Sequence, residues 1–272
     1  MFKTITFIGA GNMAGSLIGG LIADGYAPDC IWASNPSLPK LKSLQENFKI
    51  NITQDNLQAI ASAGIIVLAV KPQKMQAVAK ELGGQLGTKL VISIAAGVST
   101  TQLQKWLGGE AAPIIRGMPN TPALIRAGIT GMYAAASVTP AQKALAESIL
   151  QAVGSVLWVD NEEQIDIVAA LSGSGPAYFF KVMEALQAGA EKLGLPREQA
   201  NMLTLQTALG ATKMAAISCE SLKTLREQVT SPGGMTAKAI GTLEAGGIDP
   251  LFYAALCAGQ QRAQEMAEEL NH

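Results

Sequence analysis

Two short glycine-rich segments hold most of the chemistry that this chain's residue types can offer. The first is Gly9-Ala10-Gly11-Asn12-Met13-Ala14, a Gly-x-Gly-x-x-Ala spacing. Gly9 permits a tight turn, Gly11 lets backbone approach a pyrophosphate, and Ala14 allows a helix to pack closely on a strand. The free N–H groups and positive dipole end of a helix starting there would face phosphates. A glycine-rich turn with no ligand has the same spacing, so the flanking context decides its weight. The second segment is Val229-Thr230-Ser231-Pro232-Gly233-Gly234-Met235-Thr236. Ser231 is a good N-cap and Pro232 a good first helical residue. Unpaired N–H groups at such a start suit a carboxylate. Gly233 and Gly234 carry no side chains to block approach, and Thr236 offers a hydroxyl one turn further in. A plain capped helix is the alternative.

Other segments fall where a dinucleotide site needs them. Ser34-Asn35 ends the second strand signal, where a site preferring NAD usually has Asp or Glu for the ribose 2′-OH. Glu46 and Asp55 lie too far along. Small hydroxyl and amide groups accommodate a 2′-phosphate without repelling it, which favours NADP, but no Arg sits beside Ser34 and NAD stays open. Ala69-Val70-Lys71-Pro72 follows an apolar strand, and Pro72 suits the first turn of a helix. Ala95-Ala96-Gly97 follows the next strand and leaves room for a nicotinamide ring. Met118-Pro119-Asn120-Thr121-Pro122 reads as a rigid polar turn. Leu171–Tyr178 (LSGSGPAY) reads as a Gly/Ser turn opening a long helix, either a backbone cradle or a tight crossing between domains.

The elements that must position these residues are legible as alternating runs. Residues 4–8 (TITFI) form a β-type run, followed by Met13, Leu17, Leu21 and Ile22 at helical spacing, with Gly25 as a stop. Cys30–Ala33 is a second strand, and Leu38, Leu41, Leu44 and Phe48 mark a helix. Residues 65–70 (IIVLAV) and 90–94 (LVISI) are apolar throughout, as strands buried on both faces must be. Ile114-Ile115 is another strand. Strands alternating with helices mean βαβ units and a parallel sheet. From Gln164 onward the pattern is helical. The expected architecture is therefore an α/β Rossmann-type domain over 1–160 and an all-α domain over 161–272.

Composition excludes much else. At 272 residues, with roughly 100–200 per domain, the chain makes one large or two modest domains. Hydrophobic residues are 49% and charged residues 15%, against a usual charged share of about 25%, which excludes disorder and points to apolar surface hidden in an oligomer, with a large core as the alternative. A net charge of −1 gives no field for nucleic acid or an anionic membrane. The single histidine, His272, excludes a Ser-His-Asp triad, a buried His acid or base and a His-ligated metal, so no metal site is expected. Cys30, Cys219 and Cys257 show no zinc spacing and read as reduced thiols of a cytoplasmic protein. Thr4–Ala23 is a run of 20 residues without a charge, but Gly9, Gly11, Asn12, Gly15, Gly19 and Gly20 interrupt it, against a membrane span or a signal peptide.

Together the segments Phe7–Gly15 (FIGAGNMAG), Ala69–Gln73 (AVKPQ), Ser93–Gly97 (SIAAG), Met118–Pro122 (MPNTP), Ala170–Tyr178 (ALSGSGPAY) and Val229–Thr236 (VTSPGGMT) resemble the Δ1-pyrroline-5-carboxylate reductase family, in order and over nearly the whole chain. The resemblance implies an oxidoreductase with a Rossmann-type domain and a helical dimerisation domain whose helices interleave between two chains. It implies reduction of a small cyclic imine to L-proline with NADPH or NADH, the last step of proline biosynthesis, by a homodimer that can assemble into a decamer. Carried over by position, Ile8, Gly9, Ala10, Gly11, Asn12, Met13, Ser34, Asn35, Asn56, Ala69, Val70, Lys71 and Pro72 contact the cofactor. Ala95, Ala96 and Gly97 lie near the nicotinamide. Ser231, Gly233 and Gly234 hold the substrate carboxylate, Thr236 bonds the ring nitrogen, and Glu162 faces the substrate. Two features depart from the pattern: Met235 stands where the family usually has a smaller residue, and the adenine-side loop has Pro36 and lacks a nearby Arg.

Two other readings are weighed against this one. A β-hydroxyacid dehydrogenase shares the two-domain plan but needs a Lys on the helix after a Gly-rich turn and an Asn four positions on. Here Lys181 is followed at that spacing by Ala185, so the pair is broken. A non-catalytic dinucleotide sensor would bind cofactor without turnover, and it has no use for a carboxylate cradle at Ser231–Thr236.

Overall fold

The first strand, β1 (Ile5–Ile8), is apolar at three of four positions and buried along its whole length. Burial on both faces is what a central parallel strand requires. The computed structural model describes residues 3–109 and 112–270, so His272 lies outside the described residues. The remaining strands are β2 (Ile31–Ser34), β3 (Asn51–Thr53), β4 (Ile65–Leu68), β5 (Leu90–Ser93), β6 (Ile114–Met118), β7 (Gly128–Ala134) and β8 (Gly154–Trp158). They form one sheet in the order β3-β2-β1-β4-β5-β6-β7-β8. Every pair is parallel except β6 with β7.

Side chains alternate across this sheet as the pleat dictates. Ile5, Phe7, Ile65, Val67 and Ile92 face one core, shared with Leu17 and Ile18 of helix α1 (Asn12–Ala23), Leu41 of α2 (Leu38–Phe48) and Ile149 of α6 (Pro140–Gln151). Ile8, Ile66, Leu68 and Val91 face the other, with Ala59 of α3 (Asn56–Ile60), Met75 and Ala79 of α4 (Pro72–Leu82), and Leu103 of α5 (Thr100–Trp106). Leu17 has no exposed surface, and truncating such a side chain to Ala costs about 2–5 kcal/mol.

The strand order reverses beside β1. The chain runs outward through β2 and β3, then returns to place β4 on the other side of β1. A crevice at the carboxyl ends of β1 and β4 follows from that reversal, and it is where ligands of open α/β sheets bind.

Three strands depart from the sequence reading. β3, β7 and β8 were not expected, and β7 adds an antiparallel edge to a sheet expected to be parallel. The signal of β7 and β8 is weak because glycines occupy places where a side chain cannot fit, and β3 is only three residues long. A Cβ at Gly131 would come within 2.6 Å of Val168, and one at Gly128 within 2.8 Å of the Ala123 backbone nitrogen.

The chain divides into two compact units, one of residues 3–174 with 258–270 and one spanning Gly175–Cys257. The first unit holds the sheet, helices α1 to α6, α7 (Gln164–Val168) and a π-helix at Ala169–Gly173. Leu171–Gly173, expected as a turn, thus belongs to a wide helical coil that ends at Ser174. The second unit is helical, with α8 (Gly175–Lys192), α9 (Arg197–Ile217), α10 (Leu222–Gln228), α11 (Met235–Ala245) and the first part of α12 (Ile248–Glu269). Its helices bury little. Met202 is 65% exposed, Leu186 60% and Leu251 68%. Apolar residues are spread around α9 rather than gathered on one face.

Candidate active site

In the first unit, β1 delivers the chain into Gly9-Ala10-Gly11 and then α1. Gly9 has φ +106°, a conformation L side chains rarely adopt, and a Cβ there would sit 2.6 Å from the Ala69 carbonyl oxygen. Its N–H donates to the Ser34 carbonyl at 2.8 Å, while the Ala69 N–H donates to the Ile8 carbonyl at 2.8 Å. The ends of β1, β2 and β4 are thereby tied together at one point. Gly11 is the N-cap of α1, and a Cβ there would meet nothing within 4 Å. With no capping side chain, the first N–H groups of α1 are left for a ligand.

A groove of about 350 Å³ opens at this point. Ile8, Gly9, Ala10, Gly11, Ser34, Asn35, Asn56, Ala69, Val70 and Lys71 line it, bringing together ten of the positions expected to face a cofactor. Asn12 and Met13 open α1, and Pro72 opens α4 with Lys71 as its N-cap. Ala95, Ala96 and Gly97 follow β5, the strand beside β4. Gly97 has φ +72°, and its Cβ position would lie 3.6 Å from Met266.

The far wall of the groove is built by α3. Asp55 caps this helix, accepting from the Leu57 and Gln58 N–H groups at 2.8 and 3.1 Å. That cap fixes Asn56, whose Oδ1 accepts from the Ser34 hydroxyl at 2.7 Å. The Asn56 amide nitrogen donates to Glu81 at 2.9 Å. Asn35 folds its own loop, its Oδ1 accepting from the Ser37 N–H at 2.8 Å. Lys40 and Lys74 also line the groove. Sequence reasoning missed both lysines and Glu81, because the lysines meet the groove from helices α2 and α4 rather than from a strand end, and Glu81 reaches it only through Asn56.

Glu162 sits in the first unit with both oxygens engaged. One accepts from the Thr100 N–H and the other from the Thr100 hydroxyl, each at 2.7 Å. The Arg116 guanidinium lies 3.5 Å from Glu162 and 2.9 Å from Asp166. Arg116 is 5% exposed and its Nε has no hydrogen-bond partner. An Arg inside the otherwise apolar β6 was a signal available in the sequence that passed unread. Asn120 of the polar turn donates to the Ser172 carbonyl at 3.1 Å and accepts from the Ile129 N–H at 2.9 Å, bracing the chain around it.

In the second unit, the Ser231–Thr236 segment forms a turn followed by α11. Ser231 is not the N-cap expected of it. Gly233 adopts φ +71°, the Gly234 N–H donates to the Ser231 carbonyl at 3.0 Å, and Gly234 caps the helix. Pro232 therefore lies in the turn, and Thr236 falls in the first helical turn rather than one turn further in. The physical reason is the left-handed residue at 233, which reverses the chain after Pro232. No side chain caps α11, so its first N–H groups stay available. Ser231, Gly233 and Thr236 are exposed in the single chain. Lys181 pairs with Glu184 at 3.1 Å on a solvated helix face, with Ala185 beside it, unlike the Lys/Asn pair of a β-hydroxyacid dehydrogenase.

The geometry fits a dinucleotide at the end of β1: a tight glycine turn, open space over Gly11 and an uncapped helix start. Comparison with known proteins agrees. Residues 162–266 match the family model for pyrroline-5-carboxylate reductase dimerisation, and residues 4–97 match the model for NADP oxidoreductase, coenzyme F420-dependent. A pyrroline-5-carboxylate reductase of Pseudomonas aeruginosa is 50% identical over 267 residues, covering 98% of this chain and 97% of the relative. The solved structure of a pyrroline-5-carboxylate reductase from Coxiella burnetii superposes with a TM-score of 0.94 at 51% identity, over 97% of this chain and 98% of that one. The Plasmodium falciparum pyrroline carboxylate reductase with NADP bound gives 0.86 at 28% identity, over the same shares of the two chains. The chain belongs to the pyrroline-5-carboxylate reductase family.

Proposed function

We propose that this chain reduces 1-pyrroline-5-carboxylate to L-proline with NADPH, or with NADH, as the last step of proline biosynthesis. The single observation that carries the reading is half-identity to a pyrroline-5-carboxylate reductase along essentially the whole chain. The glycine turn, the groove and the uncapped turn at Ser231–Gly234 supply the parts the reaction needs.

A bound nicotinamide dinucleotide supplies the hydride. Gly9, Ala10 and Gly11 with the first N–H groups of α1, including Asn12 and Met13, hold its pyrophosphate, and Ser34, Asn35 and Asn56 hold the adenosine ribose. Ile8, Ala69, Val70, Lys71 and Pro72 line its path, and Ala95, Ala96 and Gly97 leave space beside the nicotinamide. The substrate carboxylate is held at Ser231, Gly233 and Gly234, by the N–H groups of the turn that are not bonded within it and by the positive end of α11. Thr236 donates its hydroxyl to the ring nitrogen and relays a proton from water. Orientation supplies most of the rate, because the imine is electrophilic once its nitrogen takes up that proton. Glu162 holds the α5 start, beside the loop that carries Ala95–Gly97, and through it the substrate side of the site.

The division of labour follows the division of the sequence. Residues 1–160 act as the dinucleotide-binding domain and 161–272 as the helical dimerisation and substrate domain. The match of 162–266 to a dimerisation family supports this. The exposed apolar side chains of α8, α9 and α12 support a homodimer whose helices interleave, with assembly of dimers into a decamer as the larger form. Cys30, Cys219 and Cys257 are free thiols, in keeping with a cytoplasmic location. Among the described residues no helix is long and apolar enough to cross a membrane. The partners proposed are the imine, the cofactor and a second copy of the chain, with no nucleic acid and no membrane.

The test is spectrophotometric. NADPH oxidation that depends on added pyrroline-5-carboxylate, repeated with NADH, is the expected result. Cofactor binding without imine-dependent turnover would return the chain to the sensor reading.

A further inference from the structure

Glu81 lies outside the cofactor groove and no part of the mechanism uses it, yet it governs the hydrogen-bonding sense of one groove wall. Its carboxylate oxygen accepts from the Asn56 amide. The Asn56 amide must therefore turn its nitrogen to Glu81, at 2.9 Å, and its oxygen to Ser34. The Ser34 hydroxyl in turn gives its one hydrogen to that oxygen, at 2.7 Å. What remains on the Asn56–Ser34 pair is mainly acceptor capacity, the second lone pair of Asn56 Oδ1 and the lone pairs of Ser34 Oγ, against one remaining amide hydrogen of Asn56. Asn56 and Ser34 both line the groove, at the strand end where a Rossmann site meets the adenosine ribose. An accepting wall suits a 2′-hydroxyl, which donates, and disfavours a 2′-phosphate, which cannot. Lys40 and Lys74, which also line the groove, supply the opposite preference, because ammonium groups donate and carry positive charge.

We propose that Glu81 is a positioning residue for cofactor choice: through Asn56 it holds the Ser34 wall in an accepting state and keeps the site competent for NADH, against the pull of Lys40 and Lys74 toward NADPH. The chain Glu81–Asn56–Ser34 joins α4, α3 and β2, so the setting is built into the fold and precedes binding. This inference rests on the reading of the groove as a dinucleotide site.

The test measures the dissociation constants of NADPH and NADH by fluorescence titration, without substrate, so failure of the imine-reductase reading leaves it intact. Glu81→Gln, which can donate or accept and so frees the Asn56 amide to turn, is expected to raise the preference for NADPH over NADH by about tenfold, the worth of one charge-assisted hydrogen bond. Lys40→Met with Lys74→Met is expected to move the preference the other way. If Glu81 acts through Asn56, its effect shrinks to within about twofold in an Asn56→Ala background. It also persists in about 1 M KCl, where the screening length is near 3 Å and a through-space charge effect is lost. An unchanged preference in Glu81→Gln overturns the proposal. So does a shift that survives Asn56→Ala, or one that disappears in high salt. Absence of binding by either cofactor would overturn both this inference and the dinucleotide reading, whereas binding without imine turnover would overturn only the reaction.

Discussion

Glu162 spans 62 residues of sequence to hold Thr100 at both of its donors, the backbone N–H and the side-chain hydroxyl, each at 2.7 Å. Thr100 opens α5, and the loop before it carries Ala95–Gly97. Arg116 backs the carboxylate from inside the sheet. Removing Glu162 leaves two orphaned donors and a buried guanidinium with Asp166 as its remaining ion-pair partner. We expect Glu162→Ala to lower unfolding free energy by about 3 kcal/mol in denaturant titration and to weaken cofactor binding. If Glu162 instead contacts substrate directly, the variant keeps its stability and loses only KM for the imine.

Gly9 and Gly11 separate folding from binding. Gly9→Ala forces a side chain into φ +106° and onto the Ala69 carbonyl, so it costs about 2 kcal/mol or more. Gly11→Ala meets nothing within 4 Å and should leave stability within about 0.5 kcal/mol of the parent, yet it places a methyl where backbone should approach a pyrophosphate. Thermal melts with and without NADPH check both: Gly9→Ala melts low in each, and Gly11→Ala melts normally but loses the cofactor-induced rise.

The contrast between these residues and Glu162 shows what the sequence could reveal. The glycine turn and the runs IIVLAV and LVISI were legible because doubly buried strands need unbroken apolar residues and the Gly-x-Gly spacing is local. β7 was not, since close packing against Val168 and Ala123 demands Gly131 and Gly128, and glycine erases the strand signal. The groove's glycines and strand-end residues came together as expected, while Lys40, Lys74 and Glu81 depend on how helices settle against the sheet. The Arg116–Glu162–Thr100 brace joins three distant segments, which no spacing rule encodes. At Ser231 local cap rules pointed one way, and a left-handed Gly233 moved the helix start three residues on.

Thr236 is proposed to donate to the ring nitrogen. Thr236→Ala should lower kcat/KM for the imine by about 10²-fold, at the lower end of general acid effects, with little change in NADPH affinity. Thr236→Ser keeps the hydroxyl and should retain most of the activity. Full activity in the alanine variant would remove Thr236 from the mechanism.

The helices of the second unit expose too much apolar surface to stand alone. Light scattering should find a dimer or a multiple of it. Leu205→Glu with Leu209→Glu on α9, at positions 50% and 47% exposed in the single chain, should break the assembly and abolish turnover. A monodisperse, active monomer of the parent chain would contradict the dimer.

Imine reduction to L-proline is read out by product analysis under single-cofactor conditions. NADPH and racemic pyrroline-5-carboxylate are incubated with the enzyme, and proline is quantified by chiral chromatography against NADPH consumed. One L-proline per NADPH oxidised is expected, and none without enzyme. NADPH consumption without L-proline, or binding of NADPH with no consumption, would contradict it.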